Sequence, residues 1–193
     1  MNHEELNEPF RDFIGIFERL RISYALIGGL AVGVHGIPRP THDLDFTIAI
    51  ERERLPAFFE AVVELGYDVP HEFTTGWVDQ VAGMPLVKAR QWVAGKTIDV
   101  DVFLAESRFQ TSLLQRRARA EVEGISAWIA SPEDLILLKL LANRPRDIGD
   151  IQDILMVQGQ LDDAYLNQWG DELGVSALWS EVIAHFNRSS FES

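Results

Sequence analysis

Two Asp-x-Asp triplets, Asp43-Leu44-Asp45 and Asp99-Val100-Asp101, carry the residue types and spacing that could do chemistry in this chain. Each lies within an apolar run that reads as a strand. Successive strand side chains alternate sides, so the two acids of a triplet project the same way with Cα atoms roughly 6.5–7 Å apart. Either triplet alone could sit on an edge strand with its acids in water. Two such pairs brought together repel unless a cation lies between them, and the usual occupant of an all-oxygen carboxylate cluster is Mg²⁺. The pattern therefore points to a metal-dependent enzyme.

Other residues could serve such a site. Gly28-Gly29 follows a short strand and opens a helix, so it is either a plain tight turn or a turn whose backbone N–H groups meet a phosphate at the positive end of the helix. Arg39 and Thr41 stand just ahead of the first acidic strand, where phosphate contact and turn-building are equally good roles. Lys139 lies within the apolar stretch Leu135 to Leu141 and needs a partner. Snorkelling to the surface is one way to meet that need. Asp147 fits an acid favoured by a helix N-terminus. His35 and His42 do not make a zinc site.

The elements that must position these residues follow from periodicity. Phe10, Phe13, Ile14, Phe17 and Leu20 form one helical stripe over Pro9 to Leu20. Tyr24 to Ile27 is a buried strand and Leu44 to Ile50 a second strand. Glu51 to Leu65 is a helix burying Leu55, Phe58, Phe59, Val62 and Val63. Val69 to Ala82 carries no regular pattern. Leu86 to Val93 and Thr97 to Leu104 form a hairpin through Ala94-Gly95-Lys96. A helix over Arg108 to Arg117 precedes two short strands between Ala120 and Ile129. Ser131-Pro132-Glu133-Asp134 is a helix start, with serine as cap and proline in the first turn. Helices then run over Glu133 to Ala142, Ile148 to Val157, Asp163 to Leu173 and Val175 to Phe186. The expected organisation is a core over residues 1–130 with a helical segment, 131–193, packed on it.

Composition narrows the functional classes. A hydrophobic content of 47% over 193 residues supports a real core. The absence of cysteine excludes disulfides and thiolate zinc sites. The polar, acidic opening and the lack of a long apolar run predict a cytoplasmic protein with no membrane partner. A net charge of −13 argues against broad nucleic-acid binding and leaves only a local basic patch open. The densest cationic run, Arg108, Arg116, Arg117 and Arg119, reads as a solvated helix face or as a phosphate site.

Taken together, Gly28-Gly29-Leu30-Ala31, His35-Gly36, Arg39, Thr41 and Asp43-Leu44-Asp45-Phe46 resemble the DNA polymerase β-like nucleotidyltransferases, specifically the branch of the AbiEii-type abortive-infection nucleotidyltransferase toxins. Glu133 to Ala142, followed by Arg144, Arg146, Asp147 and Asp150, resembles the helical signature of that branch. The resemblance covers roughly Tyr24 to Leu155. It implies an α+β fold, a mixed sheet flanked by helices with a C-terminal helical segment, and nucleotidyl transfer from a nucleoside triphosphate. Two Mg²⁺ ions, with Mn²⁺ as an alternative, would be held by Asp43, Asp45 and a third carboxylate. Spacing within the resemblance favours Asp101 for that place, with Asp99 alongside it. Lys139 is implied as a catalytic residue, and Gly28, Gly29, Arg39, Thr41, Asp99, Arg146 and Asp147 as substrate-binding. The acceptor is left open among RNA, above all a tRNA end, a protein hydroxyl and a small molecule such as an aminoglycoside or lincosamide. A toxin role would bring an antitoxin partner, and a non-catalytic, antitoxin-like binding protein is the rival class.

Overall fold

A computed structural model describes residues 3–75, 77–78, 83–93 and 95–191. In chain order the elements are α1 (Asn7–Arg19), β1 (Ser23–Ile27), α2 (Gly28–His35), β2 (Asp43–Ala49), α3 (Leu55–Glu64), β3 (Trp77–Val78), β4 (Pro85–Val93) and β5 (Lys96–Leu104). Next come α4 (Arg108–Arg116), β6 (Ala118–Val122), β7 (Ile125–Ile129), α5 (Pro132–Ala142), α6 (Pro145–Val157), α7 (Asp163–Leu173) and α8 (Ser176–Phe191). The strands form one mixed sheet of seven, ordered β3-β4-β5-β2-β1-β7-β6. The β2–β5 and β1–β7 pairs are parallel and the others antiparallel. The molecule is α+β, as expected.

Strand alternation sorts the two faces. Leu44, Phe46 and Ile48 of β2 are fully buried on one side, against the aromatic stripe of α1. There Phe17 meets Phe46 edge-on at 5.1 Å and Phe13 meets Tyr67 at 5.2 Å. Ile98, Val100, Val102 and Leu104 of β5 are likewise buried. The intervening Asp43, Asp45, Asp99 and Asp101 therefore face the other way.

The C-terminal helices cover that second face. Leu135, Ile136, Leu137, Leu138 and Leu140 are all buried, because α5 is enclosed by α2, α6 and α7. A helix apolar on every side is stable only when enclosed in this way. Ser131 caps it as expected, its hydroxyl accepting from the Asp134 amide at 3.2 Å. Asn143, in the left-handed conformation, ends α5, and Pro145 starts α6 two residues later. His35 ties the end of α2 to the Ala130 carbonyl at 2.9 Å.

Some expectations need correction. Glu51 to Leu65 divides into a 3₁₀ turn, Arg52–Arg54, and α3, and Val63 is 56% exposed while Ala61 takes the inward position. The stripe of Leu55, Phe58, Ala61 and Val62 runs at three- and four-residue steps, and Val63 falls one position beyond its edge. Within the unassigned Val69 to Ala82 there is a 3₁₀ turn at His71–Thr75 and the short β3, while residues 76 and 79–82 lie outside the described residues. Among the described residues no helix is long and apolar enough to cross a membrane.

Candidate active site

The parallel pairing of β2 with β5 sets Asp43 opposite Asp99 and Asp45 opposite Asp101. The two triplets thus form one acidic block on one face of the sheet. The β4–β5 ladder then places Lys88 opposite Asp101 and Arg90 opposite Asp99. Lys88 Nζ lies 2.8 Å from Asp101 and 3.8 Å from Asp99, and Arg90 Nε donates to Asp99 at 2.8 Å. Asp99 is drawn outward by these cations. Asp43, Asp45 and Asp101 line a cavity of about 150 Å³, and Asp99 does not.

The turn after β1 fits closely against this block. Gly28 has φ +68°, and a Cβ there would lie 1.9 Å from Asp45 Oδ2. A Cβ on Gly29 would lie 2.7 Å from the Thr41 hydroxyl. That hydroxyl donates to Asp43 Oδ1 at 2.8 Å. The glycine pair therefore brings the N-terminus of α2 against the acids, and Thr41 fixes one of them. Burial, then the nearby Asp43 and Asp101 carboxylates, push the Asp45 carboxyl up to about 7, with Lys139 and Arg144 pulling partly back. Burial also raises Asp101, against the pull of Lys88.

The opposite wall comes from α5 and α6. Lys139, Arg144 and Arg146 line the cavity together with apolar Ile27, Met84, Phe103 and Leu138. Lys139 does not snorkel: it is buried, and its ammonium donates to Asp147 Oδ1 at 3.0 Å and Asp150 Oδ2 at 2.5 Å. Arg39 grips Asp150 with two hydrogen bonds, Nε at 2.6 Å and a terminal nitrogen at 2.8 Å. Arg144 grips Asp147 through Nε at 2.7 Å, a terminal nitrogen at 3.2 Å and its backbone amide at 3.0 Å. Burial alone would raise both acids. The hydrogen bonds from Arg144 and Lys139 hold Asp147 below the usual carboxylate range, and those from Arg39 and Lys139 do the same for Asp150.

The structure thus brings Gly28, Asp43, Asp45, Asp101, Lys139 and Arg146 to one cavity, with Gly29 and Thr41 directly behind it. Arg39 is occupied by Asp150, and Asp147 is turned inward and wholly buried, so neither lines the cavity. Arg146 is exposed and makes no ion pair among the described residues. Three participants had no sequence-derived role: Lys88, Arg144 and Asp150. The expected three-residue loop, Ala94-Gly95-Lys96, would set Lys88 opposite Val102; instead Lys96 pairs with Val93, and this one-residue shift brings Lys88 opposite Asp101. Among the described residues no three His, Asp or Glu side chains are gathered into a ready metal cage. Lys88, bound to Asp101, supplies positive charge at the block instead.

Two solved structures of one antibiotic-resistance factor support the fold. The antibiotic-resistance factor ANT(2'')-Ia in solution aligns over 100% of both chains with a TM-score of 0.53 and 14% identity. Its crystal structure in complex with adenylyl-2''-tobramycin aligns over 95% of this chain and 97% of that one, with a TM-score of 0.53 and 16% identity. An antigenic nucleotidyltransferase-like protein from Paracoccidioides brasiliensis aligns over 73% of this chain and 69% of its own, at a TM-score of 0.48 and 21% identity. No curated protein gives a match. The family model described as "Nucleotidyltransferase of unknown function (DUF6036)" matches residues 6–179, nearly the whole chain, and the protein belongs to that nucleotidyltransferase family.

Proposed function

We propose that the protein transfers a nucleotidyl group from a nucleoside triphosphate to a hydroxyl acceptor, with Asp43, Asp45 and Asp101 holding magnesium. The carrying observation is a three-carboxylate wall on β2 and β5 facing Lys139, Arg144 and Arg146 across one cavity. The donor set suits a hard divalent cation. It is all oxygen, it faces one space, and the mutual repulsion that pushes Asp45 up to about 7 is relieved by positive charge. Mg²⁺ bound there supplies Lewis-acid polarisation of the α-phosphate and acidifies the attacking hydroxyl.

The chain's own residues do the rest. Arg146, free of acidic partners among the described residues, and the N-terminus of α2 offer positive charge to a triphosphate. Ile27, Met84, Phe103 and Leu138 give an apolar surface for a base or an acceptor ring and exclude water. Lys139 acts from behind: by gripping Asp147 and Asp150 it holds α6 so that Arg144 and Arg146 face the acids. Asp101 is the carboxylate positioned for the nucleophile's side, with Asp99 held apart by Arg90.

Resemblance to the AbiEii-type toxins supports an RNA or protein hydroxyl as acceptor, with a toxin role and an antitoxin partner. The net charge of −13 favours a second reading, a small cationic acceptor of the aminoglycoside kind. The deciding experiment incubates the protein with Mg²⁺ and each labelled nucleoside triphosphate in turn, offering total RNA, cell lysate or an aminoglycoside panel, beside Asp43→Ala. Label in one acceptor class, lost in Asp43→Ala, supports the assignment. No transfer, and triphosphate binding equal in the two proteins, would leave only a non-catalytic binding protein.

A further inference from the structure

We propose a second anion site, for a phosphate group, at the opposite end of β1 from the catalytic cavity, built from Tyr24, Arg21, Arg117 and Arg119 around Trp128. The arginine run noted in the sequence divides here. Arg108 and Arg116 are occupied by Glu172 at 3.3 Å and Glu133 at 3.0 Å. Arg117 and Arg119 lie past the end of α4 and turn instead onto Trp128, with guanidinium carbons 4.8 Å and 4.9 Å from its ring centre. With Arg21 and Tyr24 they line a cavity of about 150 Å³.

What makes this a site is the set of unmet donors. Tyr24 is 2% exposed, its ring fixed against Phe17 at 5.0 Å. Its hydroxyl proton has no acceptor among the described residues, since the nearby Trp128 backbone amide can only donate. Arg117 Nε is also buried without a partner. Arg119 reaches Ser126 O and Glu18 only at 3.5 Å, the outer limit of a hydrogen bond. Arg21 is exposed and makes no ion pair among the described residues. Glu18 is the one acid on the lining, and it is half in solvent.

Arg21 and Arg117 have no carboxylate partner among the described residues, Arg117 giving only a terminal N–H to the Leu114 carbonyl, and Arg119 has just the long contact with Glu18, which is unexpected in a chain with 30 acidic and 17 basic residues. The unfilled groups are all N–H or O–H donors converging from β1, β6 and the α1–β1 turn. A tetrahedral oxyanion can accept from several directions at once, and arginine forks suit it. Tyr24 stands three residues before Ile27, which lines the catalytic cavity, so the two sites are separated by about 10 Å along the strand. The phosphate could belong to a free or small-molecule phosphate or to a nucleic-acid backbone, and the test distinguishes these sources.

The full chain, in EDTA, is titrated with inorganic phosphate against chloride at matched ionic strength, followed by calorimetry and ³¹P line broadening, and separately with a short single-stranded RNA. Arg119→Gln is expected to weaken phosphate binding about tenfold, the loss of one charge-assisted contact. Tyr24→Phe, which removes only the hydroxyl, is expected to weaken it several-fold. Arg146→Gln, in the catalytic cavity, should leave this binding in place. RNA affinity falling in the same two variants identifies backbone phosphate as the source; RNA affinity unchanged identifies a small phosphate. Absence of phosphate binding, or binding that responds to Arg146→Gln but to neither Tyr24→Phe nor Arg119→Gln, overturns the proposal. Neither overturning result bears on nucleotidyl transfer, because the site is independent of the acidic block.

Discussion

Asp45 is held between two other carboxylates with a glycine against its back, so its charge is costly to the folded chain before any cation arrives. Its folded carboxyl titrates near 7, above its unfolded value of 3.8. A group raised on folding contributes stability at low pH and loses it as pH climbs through the folded value. Wild-type protein without metal should therefore lose stability between about pH 4 and pH 7. Asp45→Asn should escape that loss. We expect the variant to be more stable by about 4 kcal/mol at pH 8 and nearly equal to wild type at pH 4, with transfer abolished. Denaturant unfolding at the two pH values checks this. Added Mg²⁺ should raise the wild-type Tm more at pH 8 than at pH 6, EDTA should reverse the rise, and Asp45→Asn should respond little. Gly28→Ala attacks the same carboxylate from behind. With φ +68° and a Cβ 1.9 Å from Asp45 Oδ2, alanine must displace the acid or the turn. The expected outcome is about 1–3 kcal/mol lost in unfolding experiments and roughly a hundredfold loss of turnover from the misplaced carboxylate.

Elements matter here through what they lock together. The α5–α6 pair is bound by Lys139, Asp147, Asp150 and Arg144, and Arg39 extends the network to the segment leading into β2. Removing Lys139 leaves two buried carboxylates short of a cation, so Lys139→Met should cost about 3–5 kcal/mol. Lys139→Met combined with Asp150→Asn should cost less than the two singles added, and a double-mutant cycle measures the coupling. Asp147 and Asp150 are depressed on folding, so their contribution is present above their unfolded value and vanishes as pH falls through the folded ones. This network also marks the limit of sequence reading. The two Asp triplets, the existence of the β4–β5 hairpin and the Ser131 cap were legible because periodicity and capping are local, whereas the hairpin's exact register, on which the Lys88–Asp101 pair depends, was not. Lys139 was recognisable as needing a partner, but the partner's identity was not. The Arg39–Asp150 contact spans 111 positions, and nothing in local pattern reports it. Arg117 and Arg119 were misgrouped with Arg108 and Arg116 for a related reason: α4 stops at Arg116, and the next residues enter a strand whose side chains alternate.

At the scale of the whole molecule, the two halves expected from the sequence line a single cavity. The acids stand on β2 and β5, whereas Lys139, Arg144 and Arg146 stand on helices after residue 130. We propose that the division at residue 131 is one of secondary-structure class and not of independent folding. Leu135, Ile136, Leu137, Leu138 and Leu140 are buried, with α5 packed against α2, α6 and α7. Burying one such side chain is worth about 1.5–3 kcal/mol, so the set is comparable to the whole 5–15 kcal/mol by which a typical domain is stable. A fragment of residues 1–130 would expose the matching surface on α2 and leave the acidic block without its basic wall. It should retain far-UV secondary structure at most, with no cooperative thermal transition, dye-binding exposed apolar surface and no triphosphate binding. Mixing it with a fragment of residues 131–193 should restore binding only if the two associate. A cooperative transition and intact triphosphate affinity in the first fragment alone would mean that the basic wall is dispensable, and with it the two-wall reading of the site.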